Sequence, residues 1–281
     1  MGNLAILVLS YPWYDKFHPD RLGEQLCRIA NVLEILLHEA KYGTFGGGEH
    51  GTVGVMVDYS SVPQIPRISE EALRFCDALG DMHRWYSHPF THVLLMTTDI
   101  PADVGYSNTK SYSQRGWCFF EMRTSSLVKS NRCLWDFSRY TAEVRTYADA
   151  VKQMTTGRPP PMSPTSVAEE MRARIERGEL FFSYASDTEL VIRSYEDGFI
   201  ATFQEYSHLL NNEPAAYFIW YRRLEWGDSE APILAEAISF IEGHCDVSTK
   251  LSLSLKGNKF SPASIEAISS ACISKIAVSF D

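Results

Sequence analysis

Four short apolar runs, each separated from the next by a longer stretch with helical spacing, constrain this chain more than any other feature. Asn3 to Ser10 (NLAILVLS), Val53 to Val57 (VGVMV), Thr91 to Thr97 (THVLLMT) and Arg132 to Phe137 (RCLWDF) are continuous instead of alternating, as strands buried on both faces are. Between the first two, Pro19 to His38 places Leu22, Leu26, Ile29, Leu33, Leu36 and Leu37 near helical period, the mark of an amphipathic helix. Ser69 with Glu70 and Glu71 predicts an N-cap. The helix from Glu70 to about Trp85 is expected to bury Leu73, Phe75, Cys76, Leu79 and Met82. A further helix is predicted from Gln114 or Arg115 to about Lys129. Strand–helix alternation of this kind predicts an α/β chain with a flavodoxin-like parallel sheet in the order 2-1-3-4-5. The expected strands are 4–10, 53–58, 91–97 and 131–136, with a fifth at 180–184.

Composition narrows the function classes. Of the 281 residues, 45% are apolar and 22% charged, with a net charge of −9. That balance permits a large core and argues against nucleic acid as a partner, which needs a basic face. No run approaches the roughly 18 apolar residues of a membrane span, so no membrane partner is expected. The N-terminus has no charged segment before its apolar run, so no signal peptide is predicted. Met1-Gly2 is followed by Ile at position 6, which breaks the myristoylation motif. Six scattered cysteines without a C-x-x-C pair read as reduced core thiols of a cytoplasmic protein.

The second half changes character. Gly157 to Pro164 (GRPPPMSP) reads as a linker or edge loop, dividing a first domain (1–155) from residues 156–186 and from a helical segment over 187–281. Tyr195, Phe199, Phe203 and Tyr206 share one helical face, more simply a core stripe than a cofactor box. Lys250 to Phe260 (KLSLSLKGNKF) resembles one leucine-rich repeat, and a helix over Ser264 to Cys272 and a strand-like Lys275 to Phe280 continue it. About one and a half repeats fit, so this segment is expected to pack on the preceding helices.

The loops after the first three strands open on one sheet edge, where α/β proteins bind ligands. They carry Asp15 and His18, then Asp58 and Tyr59, then Asp99 and the polar stretch Tyr106 to Glu121 (YSNTKSYSQRGWCFFE). Glu121 stands among Trp117, Phe119 and Phe120, surroundings that raise a carboxyl pKa; its plainer reading is a solvated carboxylate at a helix start. Cys118 near a helix start reads as a reactive thiol or, more simply, a buried one. His83 and His88 lack the spacing of a helical zinc pair, and no metal is expected. The glycines of Gly43 to Gly51 precede a strand and lack the lysine of a phosphate loop.

Tyr112, Trp117, Cys118 and Glu121 stand at the intervals of Y-x-x-S-x-W-C-L-x-E-L, the motif of plant-type TIR (Toll/interleukin-1 receptor) domains, which the first 150 or so residues resemble. Ser10, Tyr11 and Asp15 match the end of that family's first strand, and Asp58 the end of its second. Arg115 replaces the motif serine, and Pro12-Trp13 the usual Arg-Gly. The resemblance implies an NAD nucleosidase that needs no separate cofactor, with NAD or a related nucleotide as substrate and Glu121 as catalytic carboxylate. It also implies self-association through this domain. Tyr11, Trp13 or Tyr59 would stack on a substrate ring, Asp15 and Asp58 would hold ribose hydroxyls or cap helices, and Trp117 would set the helix angle. Two alternatives stay open: a non-catalytic TIR-like interaction module, and a nucleoside deoxyribosyltransferase-like enzyme.

Overall fold

A computed structural model of the chain describes residues 5–15, 18–42, 51–64, 66–101, 104–155, 157–212 and 218–280. The Gly43 to His50 part of the expected glycine-rich loop lies outside them. The first half builds β1 (Ala5–Ser10), α1 (Glu24–Tyr42), β2 (Val53–Met56), α2 (Asp58–Ser61), α3 (Ser69–Gly80), α4 (Met82–Ser87), β3 (His92–Leu95), α5 (Gly116–Ser125), β4 (Leu134–Asp136) and α6 (Tyr147–Met154). All four strands pair in parallel, in the order β2-β1-β3-β4.

Alternation along β1 sorts its side chains between the two faces. Leu7 and Leu9 pack with Ile29, Val32 and Leu36 of α1 and Ala150 and Met154 of α6. Val8 faces the opposite way, into a core that holds α4 and α5 residues. Because the connection through α1 covers one face and those through α3–α4 and α5 the other, the strand order reverses between β1 and β3.

The second half continues with α7 (Pro164–Glu176), α8 (Asp187–Asn212), β5 (Phe218–Trp220), α9 (Ala231–His244), β6 (Leu251–Ser254), α10 (Pro262–Ala271) and β7 (Ile276–Ser279). Its strands form a second parallel sheet, β5-β6-β7. One apolar cluster runs without a break from Val8 and Val93 through Phe119 and Phe120, the Tyr195–Phe199–Phe203 stripe of α8, and on to Leu251 and Ile276.

Several expectations are corrected. The 180–184 segment is not a fifth sheet strand: Phe181 bridges Arg115 at the start of α5, with Gly116 N–H donating to its carbonyl at 2.9 Å. A Cβ on Gly116 would meet the Phe182 ring at 2.0 Å, so this approach needs glycine. The Gly157–Pro164 stretch is no solvated linker, because Arg158 and Pro160 to Pro164 are buried. In α3 none of the residues is buried and Leu73 is 68% exposed. The sheet face it would cover is already occupied by α4, α5 and α8, and Gly198 brings α8 to within 2.6 Å, measured from an added Cβ, of His83 on α4. Ser69 is the first helical residue, not the N-cap, and the Glu71 carboxylate accepts the Ile68 N–H at 3.0 Å. The thiols are unpaired, but only Cys118 and Cys245 are buried; Cys27 and Cys76 are exposed.

Candidate active site

Ser10, the last residue of β1, shares the Val8 face and pairs with Leu95 of β3. It therefore stands at the carboxyl end of the sheet where the strand order reverses, the usual ligand position in open α/β sheets. Its Oγ lies 2.5 Å from Glu121 Oε2 and 2.5 Å from the Tyr112 hydroxyl. Tyr112 in turn donates to the Cys118 carbonyl at 3.2 Å. Ser10 Oγ donates to the Glu121 carboxyl, so its own contact with Tyr112 is one in which the Tyr112 hydroxyl can donate to it.

Burial favours the neutral form of this carboxyl, and hydrogen bonding the charged one. Glu121 is 7% exposed. Burial, with the nearby Asp58 charge adding to it, pushes its pKa up to about 8, against hydrogen bonds from Ser10 and Tyr86 that favour the ionised form. Tyr86 also donates to the Leu9 carbonyl at 3.1 Å.

In front of this carboxyl sits a second group. Asp58, just past the end of β2, accepts hydrogen bonds from Tyr11 Oη at 2.5 Å, Trp13 Nε1 at 3.0 Å and the Tyr59 amide at 2.6 Å. Burial raises its pKa, and these three donors oppose that rise. Tyr59 meets the Trp13 ring at 5.5 Å and the His18 ring at 4.8 Å. Trp13, Tyr59 and His18 are partly exposed while Glu121 is not. Two carboxyl groups thus sit close enough to act on each other, both raised by burial, with Asp58 the better supplied with donors for a negative charge.

Tyr11, Trp13 and Tyr59 gather on Asp58, and of these four Tyr11 and Asp58 are near enough to act on Glu121 electrostatically. Asp15 does not join them, and neither does it cap a helix. It accepts from the Ser107 amide and hydroxyl, each at 2.9 Å, and from Arg21 at 3.2 Å, tying the β1 loop to the loop after β3. The Ser107 amide holds its carboxyl below the ordinary value. Asp58 likewise is not an N-cap; that position belongs to Val57. Trp117 points to α8, where its Nε1 donates to Asp187 at 3.1 Å, and Asp99 is exposed. Cys118 is a core thiol whose pKa burial drives far up, so no nearby helix start activates it.

Two contributors escaped sequence reasoning. Arg115, where the resembled motif has serine, donates to the carbonyls of Trp13 at 2.7 Å, Asn108 at 3.1 Å and Lys110 at 2.8 Å, clamping the site loops together. Tyr86 lies in α4 and reaches β1 from outside any motif. A cavity of about 240 Å³ opens on the other side of Tyr112, between the ends of β3 and β4, α5 and Arg158; Glu121 is not among its lining residues. No family model, no curated protein and no solved structure matches the chain. Among the described residues no helix is long and apolar enough to cross a membrane.

Proposed function

We propose that the chain is a TIR-like enzyme on a flavodoxin-like sheet that cleaves the N-glycosidic bond between nicotinamide and ribose in NAD. The observation that carries this reading is the buried Glu121 carboxyl hydrogen-bonded to Ser10 at the end of β1, beside the Asp58 carboxyl and its aromatic cluster. Nicotinamide in NAD is cationic and a good leaving group, so the reaction asks little of a general acid. It asks for negative charge beneath a ribose that becomes oxocarbenium-like. A cationic ring arriving near Glu121 favours the ionised form, so substrate binding itself would create the carboxylate that the transition state needs. The proton released passes to solvent. Water then attacks the ribose carbon, giving nicotinamide and ADP-ribose; attack by a group of the substrate itself gives a cyclic product. Trp13 and Tyr59 are placed to stack on the cationic ring, and Asp58 to hold ribose hydroxyls once Tyr11 swings aside. Self-association of the domain would open the cover over Glu121, and the unpaired thiols suit a cytoplasmic location.

A second reading has its own support. Glu121 is closed off, which suits a TIR-like interaction and signalling module without turnover. The second sheet suits partner binding: its parallel strands alternate with helices, and Asn258 accepts the Leu224 N–H at 2.9 Å and donates to the Tyr221 and Leu255 carbonyls at 2.6 and 2.8 Å. That single asparagine ties the segment after β5 to the turn after β6.

NAD consumption by wild type and Glu121→Ala, in dilute and in crowded protein, separates the two. Turnover by wild type that Glu121→Ala loses supports the enzyme. Equal turnover removes Glu121 from the reaction. No turnover in self-associated protein selects the module, and base exchange on deoxynucleosides with NAD untouched selects the transferase.

A further inference from the structure

The cavity behind Tyr112 has an uneven wall. Leu95, Phe119, Met122 and Leu134 make it apolar, and two arginines, Arg158 and Arg174, also line it. Arg158 is 1% exposed. Its Nη1 donates to the Lys129 carbonyl and its Nη2 to the Trp220 carbonyl at 3.3 Å, while its Nε is buried without a partner. Among the described residues no carboxylate lies within ion-pair distance of it, and burial brings its pKa down to about 10. A guanidinium buried without a counter-charge is costly, so its environment is short of one anion.

The neighbouring charges leave that place open. Arg174 donates to the Ser113 carbonyl at 2.7 Å, and its contact with Glu170 is 3.8 Å; Glu170 also binds Arg123 at 2.7 Å. Asp136 is the one carboxylate among the lining residues. It accepts from Thr97 Oγ1 and from the Ser138 amide at 3.0 Å and hydroxyl at 2.8 Å, with Arg139 at 3.9 Å. All three donors meet its Oδ1, while Oδ2 has the Arg139 contact, so its charge is partly compensated where it stands.

We infer that this cavity binds a small organic anion, a monocarboxylate with a ring-sized apolar body, whose charge meets Arg158 and Arg174 and whose body lies against Leu95, Phe119, Met122 and Leu134. At about 240 Å³ the space falls just below the ~300–1,000 Å³ of drug-sized pockets, which suits a single ring and excludes a dinucleotide. The site goes beyond the proposed reaction and does not depend on it. Tyr112 lies between the two, lining the cavity and meeting Ser10 through its hydroxyl, so an occupant touches a partner of the residue that donates to Glu121.

Calorimetric titration and thermal shift on the full chain test this with benzoate, using benzyl alcohol as an uncharged ligand of like size. Benzoate is expected to bind and raise Tm, with benzyl alcohol about tenfold weaker or more, the size of one charge-assisted hydrogen bond. Arg174→Gln, a partly exposed position, is expected to weaken benzoate severalfold, Met122→Trp to abolish binding by filling the space, and Glu121→Gln to leave it unchanged. Equal binding of benzoate and the alcohol overturns the inference, as does benzoate binding that survives Met122→Trp. If Met122→Trp fails to fold, Arg174→Gln decides: an unchanged affinity overturns the assignment. Loss of benzoate binding in Glu121→Gln would place the ligand at the other site and overturn it equally.

Discussion

Glu121 and Lys129 are buried ionisable groups in the same part of the molecule, and they act on stability in opposite senses. Glu121 has its pKa raised from 4.5 to about 8. Between those values the folded state holds a proton that the unfolded state has lost, so stability falls as pH rises through that window. Glu121→Gln keeps an acceptor for the Ser10 hydroxyl and removes that slope. Its unfolding free energy is expected to exceed wild type's by a margin that grows from pH 5 to pH 8 and reaches the order of a few kcal/mol, with Tm rising accordingly. A Tm difference that stays flat with pH would show that Glu121 is ionised in the folded chain. Lys129 is buried among the carbonyls of His88 and Thr91, with a pKa lowered to about 7 from 10.5. Here the unfolded state holds the extra proton, so its contribution to stability rises with pH from about 7 to 10.5. Wild type should therefore lose stability up to about pH 7 and regain part of it above pH 8, a profile that urea titrations across pH can measure. Much of this pair of sites was visible in the residues themselves. Ser10, Tyr11, Asp58 and Glu121 follow strand ends or stand in a motif. Arg115, Tyr86 and Arg158 were not legible, because each works by reaching main-chain carbonyls of distant segments, and that leaves no local pattern.

At the scale of elements, β1, β3 and β4 were readable because strands buried on both faces must be continuously apolar; β2, expected buried for its apolar run, is an edge strand with Val55 40% exposed. The place of α3 was not readable. Its amphipathic spacing predicted a buried face, yet α8, arriving from far along the chain, fills that side of the sheet. The same competition displaced 180–184 from the sheet: its Phe181 pairs with the residue before α5 instead. That contact makes a prediction. Gly116→Ala places a methyl group into the Phe182 ring, and overpacking of a fixed contact costs about 1–3 kcal/mol. Chemical denaturation should show that loss, and Phe182→Leu on the Gly116→Ala background should recover part of it, because the two residues share one contact. A loss of equal size in both backgrounds would mean that α5 is strained by the alanine itself and not by the ring.

For the whole molecule, the question is whether the two sheets are separable. Arg158 joins the carbonyls of Lys129 and Trp220 from opposite halves, Trp226 donates to the Arg158 carbonyl at 2.8 Å, and Tyr221 donates to the Leu127 carbonyl. Tyr195, Phe199 and Phe203 of α8 are buried in the cluster that includes Phe119 and Phe120 of α5. Each such ring removes roughly 150–250 Å² from water, or about 4–6 kcal/mol as an upper bound at ~25 cal/mol per Å². Losing three of them is comparable with the whole ~5–15 kcal/mol by which a domain is stable. The Pro-rich stretch 157–164 therefore belongs to the core that joins the halves, although its composition resembles a linker. Limited proteolysis is expected to spare it, thermal unfolding to show one transition, and a fragment ending at residue 155 to bind a hydrophobic dye and lack dispersed amide resonances. Cleavage at Pro159–Pro164 that released two stable, non-associating pieces would show two independent domains. In that case the uncovered face of α4 and α5 would need another partner to stay folded.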